Sequence, residues 1–142
     1  MSNFRHVLVA TDFGESSQRA VELALVIAGR LNARLTIMHA CQLLAHMYEG
    51  LYPNAQVIEM IADAARKQLA AALAAARQTK SDTRALLRHG PPWQQILSAI
   101  DETHADLVVL GTHGRTGVER VLLGSVAERL VRLSPVPTVV VP

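Results

Sequence analysis

Short runs that are apolar at nearly every position alternate along this chain with longer segments whose apolar residues recur every three or four. "HVLVAT" (6–11) is such a run, brief and rich in β-branched residues, and predicts a strand buried on both faces. From Glu15 to Leu31 apolar residues fall at Ala20, Leu23, Ala24, Ile27 and Leu31, a helical period expected to face the core. "RLTIMHA" (34–40) predicts a second strand. Residues 41–54, with Gly50, Pro53 and two tyrosines, read as an irregular loop or lid. Residues 55–78 are strong helix formers whose alanines suit close packing on a sheet. "TRALLRH" (83–89) predicts a third strand, broken by Gly90-Pro91-Pro92, with proline favourable at the helix start that follows. The next helix, 92–102, carries Trp93, Ile96, Leu97 and Ile100 on one side. "DLVVLG" (106–111) is the fourth strand. A last helix runs from about Ser125 to Leu133 and stops at Ser134-Pro135, and "PTVVV" (137–141) is the fifth strand.

Strict alternation of strand and helix predicts an α/β fold. It is a single domain over 1–142, an open and mainly parallel sheet with helices on both faces. Such sheets bind ligands beyond the carboxyl ends of their strands, where strand order reverses. Thr11 and Asp12 end the first strand and Gly111 ends the fourth, so these positions are the first candidates.

Between the fourth strand and the last helix stands "GTHGRTGVERVLLGS", residues 111–125. Gly111 and Gly114 permit a tight turn with positive φ, whose successive N–H groups can form an anion-binding nest. Ser125 and Glu128 have capping-box spacing, and the helix start they mark is itself an anion site. Gly124, lacking a side chain, lets a phosphate approach the backbone. Arg115 and Arg120 add positive charge. Asp12 has two readings, as a ligand for ribose hydroxyls or Mg2+ and as a cap for the following turn. The P-loop motif GxxxxGK[ST] is absent. The glycines run GxxGxxG after the fourth strand, not GxGxxG after the first, so the dinucleotide fingerprint fails as well.

Composition narrows the classes. A net charge of +2 is too small to argue for nucleic acid. Charged residues make up only 18% of the chain, which leaves room for a self-association face. Cys41 is the sole cysteine, so there is neither a disulfide framework nor a cysteine zinc site. The six histidines show no metal-ligand spacing. No run approaches the roughly 18 apolar residues of a membrane span, and the N-terminus reads as a strand, not a signal peptide. The expectation is a cytoplasmic protein with no membrane or nucleic-acid partner.

Taken together, "VLVATDFGESSQRAVELA" and "DLVVLGTHGRTGVERVLLGSVAERLVRLSPVPTVVV" resemble the universal stress protein family across essentially the whole chain. Its nucleotide-binding branch carries Gly, two residues, Gly, nine residues, Gly, then Ser or Thr. Gly111, Gly114, Gly124 and Ser125 match that spacing without deviation. The resemblance implies a Rossmann-like five-stranded parallel sheet of order 3-2-1-4-5 and an ATP site. Ala10, Thr11 and Asp12 match its first-strand loop, with Asp12 the candidate for Mg2+ held against the phosphates. Ala40 matches the second-strand end beside adenine. Leu110, Gly111, His113, Gly114 and Arg115 match the ribose and phosphate turn, and Gly124, Ser125 and Val126 the phosphate-binding helix start. A homodimer through the last strand is implied, in keeping with an apolar edge that needs covering. Ala10 stands where many members have Pro, and Gly14 where Ser is frequent, which removes a possible cap for the first helix. Neither departure touches the glycine signature.

The function implied is nucleotide-dependent regulation in a stress response, in which bound ATP orders loop 112–123 and alters what a protein partner meets. No catalytic residues are assigned. Glu119 and His113 lie near enough in sequence to be nominated for hydrolysis, but spacing gives neither a role. Slow ATP hydrolysis and an interaction module that binds no nucleotide are the alternatives.

Overall fold

In a computed structural model, which describes residues 3–42, 55–112 and 123–142, the strands are β1 (His6–Ala10), β2 (Arg34–Cys41), β3 (Arg84–His89), β4 (Leu107–Gly111) and β5 (Thr138–Val141). The helices are α1 (Glu15–Leu31), α2 (Ala55–Arg77), α3 (Pro92–Thr103) and α4 (Ser125–Leu133). All four strand pairings are parallel, in the order β3-β2-β1-β4-β5. The open α/β sheet of order 3-2-1-4-5 is therefore observed as expected.

Continuous apolarity in the central strands follows from burial on both faces. Alternate residues point to opposite sides. Val7, Val9, Leu35, Ile37, Leu107 and Val109 meet α1 and α2 on one face. Leu8, Met38, Val108 and Leu110 meet α3 and α4 on the other. Register confirms the layering, with Val9 beside Ile37 on one flank and Val109 on the other.

Helix α1 corrects one expectation. Its buried ridge is Ser17, Ala20, Ala24 and Ala28, whereas Leu23 and Leu31 are 37% and 41% exposed. Small residues let the helix lie close to β1 and β4, and a leucine on that ridge would hold it away. α2 uses the same device through Ala62, Ala65 and Ala76, with Leu69. α3 buries Ile96 and Ile100 as read, with Ala99 between them and Trp93 and Leu97 packed alongside. Proline begins α3 as predicted, with Pro91 at the N-cap and Pro92 following. Among the described residues no helix is long and apolar enough to cross a membrane.

The topology creates a crevice. After β1 the chain enters α1 on one face, and the last helix after β4 lies on the other. The two adjacent strand ends therefore diverge at the point where strand order reverses.

Candidate functional site at the carboxyl end of the sheet

The turn leaving β1 is held tightly. Thr11 N–H donates to the Met38 carbonyl (2.9 Å), and the Thr11 carbonyl accepts from His39 Nδ1 (2.8 Å). A carbonyl can only accept, so Nδ1 carries the proton. Phe13 sits in the left-handed region at φ 68°, unfavourable for a side chain with a Cβ. It is fixed there by its N–H bond to Thr11 Oγ1 (3.0 Å) and by its ring against His39, centroids 4.5 Å apart. Asp12 Oδ1 accepts from Gly14 N–H (2.9 Å) and from Ser17 Oγ (2.7 Å). The turn-capping reading of Asp12 is thus realised on one carboxylate oxygen. Oδ2 takes no part in these bonds and remains available to a ligand. Gly14 is the N-cap of α1 and supplies no side-chain cap, as its identity implies.

Gly111 has a different reason from the one its spacing suggested. It is the last residue of β4, and among the described residues the glycine with positive φ is Gly90, at 136°. A Cβ on Gly111 would run into Ser16 Oγ and come within 2.8 Å of Ser16 C and 2.9 Å of Ser17 N. The glycine makes room for the first turn of α1, which brings the Asp12 turn against the end of β4. His113, Gly114, Arg115, Glu119 and Arg120 lie outside the described residues.

The start of α4 also departs from the capping-box reading. Gly124 is the N-cap, Ser125 is the first helical residue, and among the described residues no side chain caps the helix. The first intrahelical bond runs from Glu128 N–H to the Gly124 carbonyl (2.9 Å). Gly124 N–H is taken by the Thr112 carbonyl (2.6 Å), while Thr112 N–H reaches the Val141 carbonyl (2.8 Å). That backbone bond draws Gly124 to the end of β4 and sets the helix start one residue earlier. Glu128 pairs with Arg132 instead (3.4 Å). Ser125, Val126 and Ala127 are left as the N–H groups at the positive end of α4.

These segments enclose a cavity of about 800 Å³. Every described candidate lines it: Ala10, Thr11, Asp12, Ala40, Leu110, Gly111, Gly124, Ser125 and Val126. Its lining combines apolar side chains, Met38, Cys41, Ile61, Ala65 and Ile96, with polar ones, Thr11, Asp12, Ser17, Thr112 and Ser125. Burial pushes the Cys41 thiol above its usual range, which favours its neutral form. Thr112 Oγ1 is buried without a hydrogen-bond partner among the described residues. A buried hydroxyl in that state forfeits about 1–3 kcal/mol.

Two contributions were missed in the sequence. α2 supplies Ile61, Ala64, Ala65 and Gln68 to one wall. The only sequence signal for them was one stripe of a helix whose orientation is set by the sheet. Thr112 falls within the turn from Leu110 to Arg115 that the resemblance marks, but its hydroxyl, directly after a strand end, is not singled out by the sequence reading. Among the described residues no group of three or more His, Cys, Asp or Glu side chains could hold a metal ion, and Asp12 is the carboxylate in the lining. The described side chains alone do not build a metal cage here. A cation shared between Asp12 and ligand phosphates is compatible with the donor set.

The pattern of the universal stress protein family matches residues 3–142. A universal stress protein of Thermus aquaticus, encoded 3' of a QAH/OAS sulfhydrylase, is 32% identical, with 97% of this chain and 98% of the relative covered. The solved structure of hypothetical protein MJ0577 shares the fold, with a TM-score of 0.87 at 19% identity over 99% of this chain and 96% of the other. A universal stress protein crystallised in complex with cAMP is 30% identical, with a TM-score of 0.70 over 99% and 98% of the two chains. The chain belongs to the universal stress protein family.

Proposed function

We propose that this chain binds an adenine nucleotide, ATP with Mg2+, in the carboxyl-end cavity and acts as a nucleotide-dependent regulator. The observation that carries the reading is the start of α4, which no side chain caps among the described residues. Ser125, Val126 and Ala127 begin the helix and line, with Thr112, a cavity whose lining also includes the apolar side chains of Met38, Ile61 and Ile96. Such an arrangement suits a flat apolar base and a polyphosphate tail. The related cAMP complex supports the adenine part. In this reading the base lies against Ala40 and Met38, Asp12 Oδ2 meets ribose or a phosphate-bound Mg2+, and Gly111, Gly124, Ser125 and Val126 surround the phosphates. His113, Gly114 and Arg115 belong to the same proposed set. Mg2+ would neutralise phosphate charge close to Asp12.

A regulatory role fits the lining. Asp12 is the carboxylate among its described residues, and Oδ1 is already committed to the turn. His39 also lines the cavity, with Nδ1 bound to the Thr11 carbonyl, and neither it nor Asp12 is assigned a catalytic role here. Calorimetric titration with Mg-ATP, with phosphate release followed in parallel, tests the reading. Saturable 1:1 binding without turnover is expected. Rapid phosphate release would move the protein to the enzymes, and absence of binding would leave the interaction module.

The proposal extends to a homodimer through β5. Pro137 and Val141 carbonyls face β4, so the backbone groups of Thr138 and Val140 point to the open edge. The variant V140P removes an outward N–H without touching the β4 ladder, and proline is tolerated on an edge strand. Sedimentation should show a dimer for the unaltered chain and a monomer for V140P. A dimer in both would place the interface elsewhere.

A further inference from the structure

Beside the large cavity lies a second one of about 450 Å³. Gln42, Pro92, Ser125 and Val126 line both, so the two adjoin across the first turn of α4. The second is completed by Trp93 on α3 and by Arg129, which stands four residues after Ser125 and hence on the same side of α4. The Arg129 guanidinium lies 4.8 Å from the centroid of the Trp93 ring. Among the described residues no carboxylate pairs with it, because the neighbouring Glu128 is turned to Arg132. A cation is thus held by an aromatic face, without a counter-charge, next to the N–H groups that begin α4.

The lining is also one-sided in chemistry. Among the described residues it contains a guanidinium and the amides of Gln42 and Gln94, and no acidic side chain. The large cavity holds the carboxylate of Asp12. An anionic chain entering at Ser125 and Val126 therefore meets negative charge on one side and positive charge on the other.

We propose that the second cavity receives the phosphates beyond the first of the bound nucleotide, and that Arg129, oriented by Trp93, sets a preference for polyphosphate over monophosphate. This rests on the nucleotide reading above and adds a specificity residue to it. Arg129 donates two N–H groups to phosphate oxygens, and binding draws the guanidinium from the indole. Because the indole loses its cation, its emission changes.

The test exploits Trp93, the single tryptophan of the chain. ATP and AMP are titrated by calorimetry into the unaltered protein, R129A and R129K, with tryptophan emission recorded and metal chelated so that only protein charge is read. Expected is tighter binding of ATP than of AMP, and a loss of about tenfold in ATP affinity in R129A. AMP affinity should be unchanged, and R129K should recover part of the loss. Emission should respond to ATP and not to AMP in the unaltered chain. If both nucleotides bind and R129A leaves their ratio unchanged, this inference falls and the nucleotide reading stands. If neither binds to the unaltered chain, both fall.

Discussion

The two ends of the sheet are built from similar polar residues and arranged to opposite effect. At the amino end the polar groups answer one another. Asp106 accepts from the N–H groups of Arg5 (2.9 Å) and His6 (3.0 Å). His6 Nδ1 donates to the Thr103 carbonyl (3.0 Å), which leaves Nε2 to accept from Thr36 Oγ1 (2.7 Å). At the carboxyl end, among the described residues, Thr112 Oγ1 lacks a partner and α4 starts without a side-chain cap. A closed network holds a fold, whereas donors left open at a strand end are what a ligand completes.

The largest effect that could sharpen this contrast is expected from G124D. Aspartate is among the best N-cap residues, so its carboxylate would answer the α4 amides from within. It would also set like charge against phosphate, which costs several kcal/mol. ATP affinity should fall by more than about a hundredfold while the melting temperature holds or rises. Unchanged affinity by calorimetry would place the phosphates elsewhere.

Next is G111A, which tests whether the open end depends on close approach of α1. The added methyl meets backbone at 2.8 and 2.9 Å, with little room to yield. A destabilisation of about 3 kcal/mol is expected in urea unfolding. A loss below about 0.5 kcal/mol would show that α1 shifts freely.

The smallest effect probes the closed end. Burial chiefly, with the Arg34 and Arg84 charges, holds His6 below its ordinary value of 6.5, against the opposing pull of the Thr103 carbonyl and Asp106. The folded state therefore binds this proton less readily than the unfolded chain. His6 contributes fully above pH 6.5, and its contribution is lost as pH falls from there through the folded value. Thermal melts from pH 7.5 to 5 should decline below 6.5, and H6Q should decline less. Parallel slopes in the two proteins would remove His6 from the account.

Much of the architecture was legible because each element carries its own period and its own stop. Apolarity at every position of "HVLVAT" and "DLVVLG" signals double-faced burial, and Gly90-Pro91-Pro92 marks one helix start unaided. Strand order came from the family resemblance, since alternation alone permits several parallel orders. What escaped was decided by distant partners. Ser125 and Glu128 have correct capping spacing, yet a bond from Gly124 to Thr112 moves the cap to the glycine. Gly111 has the spacing of a turn glycine, yet it is required by a helix nearly a hundred residues earlier in the chain. Leu23 looks like core in its helical period, but the sheet selects the alanine ridge beside it. The site itself was read from strand ends and glycines. Its α2 wall was not, because no local signal states which stripe of a helix will overhang a crevice.

The most direct measurement is a nuclear magnetic resonance titration of the amide signals with Mg-ATP. The account predicts large shifts at Thr11, Thr112, Val126 and Ala127, and none at Arg5, His6 and Asp106. Shifts at the amino end with Val126 and Ala127 undisturbed would contradict it.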